Sequence, residues 1–109
     1  MCGIGALLDP TGTAAPSAPA RMAAALRHRG PDGEAIVERA PATLVHTRLA
    51  IVDVAGGDQP LWSEDGEIAL VANGEIYNHR ALRADLEARG HRFATDSDCE
   101  PIVHLYEEH

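Results

Sequence analysis

With 109 residues, 45% of them apolar and 24% charged, and a formal net charge of −8, the chain has room for one domain of ordinary soluble composition. No apolar run approaches a membrane span, and an acidic average field without a basic stripe argues against nucleic acid as a partner. All nine basic residues are arginine, so the sequence holds neither a Walker phosphate loop nor a Schiff-base lysine.

In chain order, the run CGIGALL at 2–8 predicts a buried strand, closed by a turn at Asp9-Pro10-Thr11-Gly12. A helix is expected over ARMAAALRHRG, with Met22, Ala25 and Leu26 on its inner face, Gly30 as its stop, and a turn at Pro31-Asp32-Gly33. Short β-prone runs at 35–37, 43–46, 49–52 and 67–71 predict an antiparallel sheet. The loop at 53–60 carries Gly56 and Gly57, with Trp62 packing an edge beyond it. Asn78 caps a helix over 79–89 with Leu82 and Leu86 at i, i+4 spacing and Gly90 as its stop, and a short strand follows at 92–95. Ser97-Asp98-Cys99-Glu100 reads as a capping box with Pro101 in the first turn of a last helix whose apolar stripe is Ile102, Leu105 and Tyr106. That helix has no stop signal before His109 and places Glu107 and Glu108 where the macrodipole favours cations. The expectation is therefore the front part of a longer polypeptide.

Candidate chemistry starts at Cys2, directly behind Met1. It is either a small apolar residue opening a strand or a nucleophile that carries its own base, because removal of Met1 puts a thiol and an α-amino group on one residue. Asn73-Gly74 offers a side-chain N–H and a backbone N–H to a developing oxyanion, or else a plain hairpin turn. Arg48 suits a carboxylate and Asp98 an ammonium, which together would read an amino acid's zwitterionic head; alone, each is an ordinary surface or helix-start charge. The six histidines include no H-x-x-x-H pair and no ligand spacing with a cysteine, so no metal site is expected. Cys99 is expected in the core of the last helix. The wide separation of the two cysteines and the lack of a secretory h-region predict reduced thiols and a cytoplasmic location.

Taken together, MCGI at 1–4, RHRGPDG at 27–33, HTRLAIVD at 46–53, GGDQPL at 56–61, NGEIYN at 73–78 and SDCE at 97–100 resemble the class II glutamine amidotransferases. RLAIVD with NGEIYN is similar to the branch formed by the glutaminase domains of glutamine-hydrolysing asparagine synthetases. The resemblance implies an α+β fold, the αββα sandwich of an N-terminal nucleophile hydrolase with antiparallel sheets, incomplete here and forming one glutaminase portion over 1–109. It also implies that Cys2 attacks the amide of L-glutamine and that Asn73 and Gly74 form the oxyanion hole. Arg48 would then bind the α-carboxylate and Asp98 the α-ammonium, with Glu75 beside them and Leu49, Ile51 and Val52 lining the pocket. Cofactors are expected only outside this chain, as ATP and Mg²⁺ of a synthetase domain. One departure stands out: the family usually has glycine at the position of Ala6, where this chain has Gly5 instead.

The resemblance also implies sheet strands beyond residue 109, so edges and apolar faces are expected to need a second copy, as a homodimer, or another chain to cover them. Two other readings stay open: a non-catalytic piece that keeps the pocket residues, and a glutaminase serving amide formation on a carboxylate other than aspartate.

Overall fold

The computed structural model describes residues 1–109 as an α+β chain with antiparallel sheets and three helices. It forms two units: Met1–Ala50 with Val71–Asn73, and Ile51–Leu70 with Gly74–His109.

The first unit holds β1 (Gly3–Leu8), α1 (Ala18–Leu26), β2 (Gly33–Arg39) and β3 (Ala42–Arg48). Its sheet is antiparallel in the order β1-β3-β2, with Gly3 opposite Thr47 and Gly5 opposite Val45. Residues paired across a sheet share a face, and α1 lies on the face that carries these two glycines. A methyl group on Gly5 would come within 2.8 Å of Met22 Cε, and one on Gly3 within 2.9 Å of Leu26 Cβ. The helix therefore sits close because β1 presents no side chains at 3 and 5. This gives the Gly5 departure a physical reason, since Ala6 lies on the opposite face with Ile4 and Leu8.

Two expectations need correction here. β1 is an edge strand rather than a buried one, with Ile4 47% and Leu8 70% exposed. The inner face of α1 is Pro19, Met22, Ala23 and Leu26, and Ala25 is exposed. The helix begins at Ala18 with proline in its first turn, and counting in threes and fours from Pro19 leads to that stripe. Its C-terminal carbonyl at Leu26 accepts the Thr47 hydroxyl at 2.9 Å, so the sheet satisfies an orphan group of the helix end.

The second unit holds β4 (Leu61–Trp62), β5 (Ala69–Leu70), α2 (His79–Ala88) and α3 (Glu100–Glu108). β4 and β5 make a short antiparallel hairpin closed at 63–66, where the Ser63 hydroxyl and the Glu67 N–H both donate to Asp65 and hold its carboxyl below the usual range. The expected strand at 67–71 thus shrinks to two residues, and Trp62 belongs to a strand of its own. In α2, Leu86 is buried and Gly90, at φ +100°, ends the helix so that the His91 N–H returns to the Leu86 carbonyl. Asn78 occupies the N-cap position, although its side chain makes no capping hydrogen bond.

No strand forms at 49–52 or 92–95, because side chains claim the backbone donors that a ladder would use. The Leu49 N–H goes to Cys2 Sγ and the Ala50 N–H to Asp32; the Arg92 N–H goes to Glu64, and those of Ala94 and Thr95 to Glu100. Glu100 therefore does not close a capping box. It is buried, and it also accepts the Thr95 hydroxyl. The inner face of α3 is consequently Glu100, Pro101, Val103 and His104, while Tyr106 is exposed, which rotates the expected stripe of Ile102, Leu105 and Tyr106. Polar Glu100 and His104 occupy core positions because their hydrogen bonds are made inside the protein. Cys99 is buried as expected, at the start of this helix.

Candidate active site

Cys2 precedes the first residue of β1, and the pairing of Gly3 with Thr47 brings it alongside the end of β3. The Leu49 N–H donates to its sulfur at 3.2 Å, and the thiol donates to the Leu49 carbonyl at 3.6 Å. Arg29 Nε holds the Cys2 carbonyl at 3.2 Å. Cys2 is half-buried and Met1 is 69% exposed, so this residue is fixed at both its sulfur and its carbonyl while the residue before it faces solvent.

The same short segment that supplies Arg29 fixes the neighbouring backbone. The Asp32 N–H donates to the Arg48 carbonyl at 2.8 Å, and Asp32 Oδ2 accepts the Ala50 N–H at 2.9 Å. Gly30 is buried between them, and a methyl group there would fall inside the Thr47 carbonyl and 2.5 Å from the Arg48 nitrogen. Residues 29–32 thus hold Cys2 and the 48–50 backbone in one frame. Arg48 is 7% exposed, which sets it apart from an ordinary surface charge.

The other expected residues fall elsewhere. Asn73 is exposed and closes the second segment of the first unit; Ile51, Val52, Gly74, Glu75 and Asp98 belong to the second unit. Asn73-Gly74 is not a hairpin turn, because β5 is followed by α2 and no strand pairs back. Asp98 is 8% exposed, and its Oδ2 accepts the Ile76 N–H at 2.8 Å; Cys99 Sγ lies 3.8 Å from the Gly74 carbonyl. Two residues at the start of α3 thereby grip the Gly74-Glu75-Ile76 segment. Ile51 and Val52 are exposed and not in a strand. A cleft of about 480 Å³ in the second unit, lined by Trp62, Phe93 and Thr95 among others, contains none of these residues.

Three positioning residues escaped the sequence reading. Arg29 and Asp32 lie inside the RHRGPDG motif, whose local pattern predicts a turn and a helix stop but no role at the site. The third is Asp53, the only non-glycine residue at positive φ, +48°. Its carboxylate accepts the Gly56 N–H at 3.0 Å and the Asp96 N–H at 2.8 Å, and its carbonyl accepts the Gly57 N–H at 2.8 Å. It therefore ties the 53–57 loop to a point two residues before Asp98. The available signal was its place at the end of HTRLAIVD, since aspartate tolerates the left-handed region better than most residues. We expect Asp53→Ala to lower stability by about 1–2 kcal/mol through two lost side-chain hydrogen bonds and the poorer fit of alanine to positive φ. Asp53→Asn should recover part of that loss, and urea unfolding of the three chains measures both.

The profile of the glutamine amidotransferase domain matches residues 1–109, the whole chain. The chain belongs to this family. Among curated relatives, this glutamine amidotransferase domain is 51% identical over 111 residues to a probable glutamine-hydrolysing asparagine synthetase of Dictyostelium discoideum, covering 99% of the chain and 20% of the relative. It is 51% identical over 111 residues to glutamine-hydrolysing asparagine synthetase 3 of Arabidopsis thaliana, covering 100% of the chain and 19% of the relative. A glutamine-hydrolysing asparagine synthetase of Sandersonia aurantiaca is 56% identical over 84 residues, which is 77% of the chain and 16% of the relative. The amidotransferase domain thus spans about a fifth of the length of the first two. None of its helices is long and apolar enough to cross a membrane.

Proposed function

We propose that this chain hydrolyses the side-chain amide of L-glutamine and supplies ammonia to an asparagine-forming synthetase domain. Removal of Met1 frees the Cys2 α-amine, which takes the thiol proton as sulfur attacks the amide carbon. The negative charge gathers on the carbonyl oxygen, where the Asn73 side-chain N–H and the Gly74 N–H receive it. The amine then gives the proton to the leaving nitrogen, the C–N bond breaks, and ammonia departs from a thioester. Water attacks that thioester with the same amine as base, releasing glutamate and restoring the thiol.

Arg48 holds the substrate α-carboxylate and Asp98 the α-ammonium, with Glu75 beside them and Leu49, Ile51 and Val52 along the pocket. The observation that carries this reading is the seat of Cys2: its sulfur rests on the Leu49 N–H, one residue beyond a buried Arg48. The relatives' names, glutamine-hydrolysing asparagine synthetase, point to asparagine as the amide formed, and the family resemblance implies aspartate as acceptor with ATP and Mg²⁺ in a synthetase domain. No step proposed here runs through them.

Intact-mass analysis before and after incubation with a diazo-ketone glutamine analogue tests the proposal, with Cys2→Ala as control. Loss of one methionine and gain of a single adduct, absent from the control, are expected. A chain that has lost Met1 but gains no adduct would leave it without a working site.

A further inference from the structure

Within the second unit, four side chains from three elements point their donor atoms at one spot. Glu64 comes from the β4–β5 turn, His91 from the residue after the stop of α2, and His104 and Glu107 from one face of α3 at i, i+3 spacing. His91 Nδ1 lies 3.5 Å from Glu64 Oε1 and 3.3 Å from Glu107 Oε2; His104 Nδ1 lies 3.5 Å and 3.1 Å from the same two oxygens. All four donor atoms lie within 4.8 Å of one another.

These separations have a simple meaning. A tetrahedral Zn²⁺ with bonds of about 2.0–2.1 Å holds its donors about 3.3–3.4 Å apart, so four of the six edges are already at the required length. The other two, His91–His104 and Glu64–Glu107, are no longer than 4.8 Å. We propose that Glu64, His91, His104 and Glu107 form a structural site for a divalent transition-metal ion, zinc foremost.

A second, independent feature supports the site. A ligating histidine usually donates its other ring N–H to a carboxylate, which fixes the ring. Both histidines have that partner: His91 Nε2 lies 2.7 Å from Glu108 Oε1, and His104 Nε2 lies 3.5 Å from the buried Glu100 Oε1. The ligating carboxylate of Glu64 is held in turn by the Arg92 N–H at 2.7 Å. Phe93 packs against His104 with the rings tilted by 51° and their centroids 4.4 Å apart. Two neutral imidazoles, two carboxylates and a 2+ ion sum to zero charge, and mixed nitrogen and oxygen donors suit zinc better than magnesium or calcium. Four protein ligands leave no open position, so the ion's role is to tie the hairpin turn, the end of α2 and α3 together.

The histidine spacing gave no warning, because the pair lies thirteen residues apart on separate elements and meets only when the unit folds. The competing occupant is a proton: the hydrogen bond to Glu108 raises the His91 pKa against desolvation, with Glu64, Glu108 and Glu107 charges adding to it. An ion-pair cluster of that kind would need no metal.

The test uses the chain in a Cys2→Ala background, which removes the N-terminal thiol as a rival ligand. After chelator treatment, Zn²⁺ is added and stoichiometry is read by native mass spectrometry, affinity by calorimetry, and geometry from the visible absorption of the Co²⁺ form. One ion per chain and a tetrahedral cobalt spectrum are expected. His91→Gln and Glu107→Gln should each weaken binding by at least about tenfold, as removal of even an outer partner does, while His28→Gln should change nothing. Far-UV circular dichroism on every variant separates lost binding from lost fold. If the stripped chain is unfolded, recovery of helicity on adding zinc supports the site. No binding by a helical chain, equal binding by both variants, or an unfolded chain that zinc does not restore would overturn it.

Discussion

Under the proposed mechanism, glutamate release by this chain is expected to fall by at least about 10³-fold when Cys2 becomes alanine, the scale on which loss of a covalent nucleophile is felt when binding groups and oxyanion donors remain. The seat of the residue gives the reason for expecting no substitute. The Leu49 N–H and Arg29 fix the sulfur and the carbonyl of Cys2, and the remaining cysteine, Cys99, is buried at the start of α3. Cys2→Ser keeps the geometry with a far weaker nucleophile and should lose nearly as much turnover while still binding glutamine. Acetylating the α-amine after Met1 has been removed isolates the base: the thiol remains, and hydrolysis should fall by about 10²–10⁴-fold, the usual share of a positioned general base. A coupled glutamate assay on these forms measures all three. Unchanged rates on acetylation would assign the proton to another group.

Gly30→Ala should lower stability by about 3 kcal/mol or more, a large part of the about 5–15 kcal/mol expected of a small domain. The added methyl group would fall on the Thr47 carbonyl and the Arg48 nitrogen, and backbone atoms inside β3 and at its end cannot rotate away as a side chain can. Gly5→Ala is the matched comparison. Its methyl group meets the tip of Met22, which has three rotatable bonds, so about 1 kcal/mol or less is expected. Urea unfolding of both variants gives the two values. Because Gly30 adjoins the frame that carries Arg48 and Leu49, chains of Gly30→Ala that remain folded should also lose adduct formation at Cys2.

Local signals were sufficient wherever a segment's backbone bonds stay within the segment or its neighbouring strand. β1, β2, β3 and α2 follow from apolar patterning, turn residues and Gly90, and α1 and α3 were found with the wrong inner faces. Misreadings arose where a distant side chain supplied the acceptor. Nothing near residues 92–95 shows that Glu64 and Glu100 will take their N–H groups, and nothing near 49–50 announces Cys2 and Asp32. The rotated face of α3 has the same origin, because a periodicity that counts only apolar residues discards Glu100 and His104. At the candidate site, chemical type singled out Cys2, Arg48 and Asp98, and shared motifs attached roles to them. The supports Arg29, Asp32 and Asp53 were silent because their work is done through backbone groups of residues brought near only by folding.

The anchoring of Cys2 through its sulfur and carbonyl, with an exposed residue before it, has a consequence for reagents. In a chain without lysine, removal of Met1 leaves a single primary amine in the whole molecule, and it shares a residue with the reactive thiol. Such a 1,2-aminothiol condenses with an aldehyde to give a thiazolidine ring. A small aldehyde should therefore mark the processed chain at one position, silence it, and release it again when the ring is opened by an alkoxyamine.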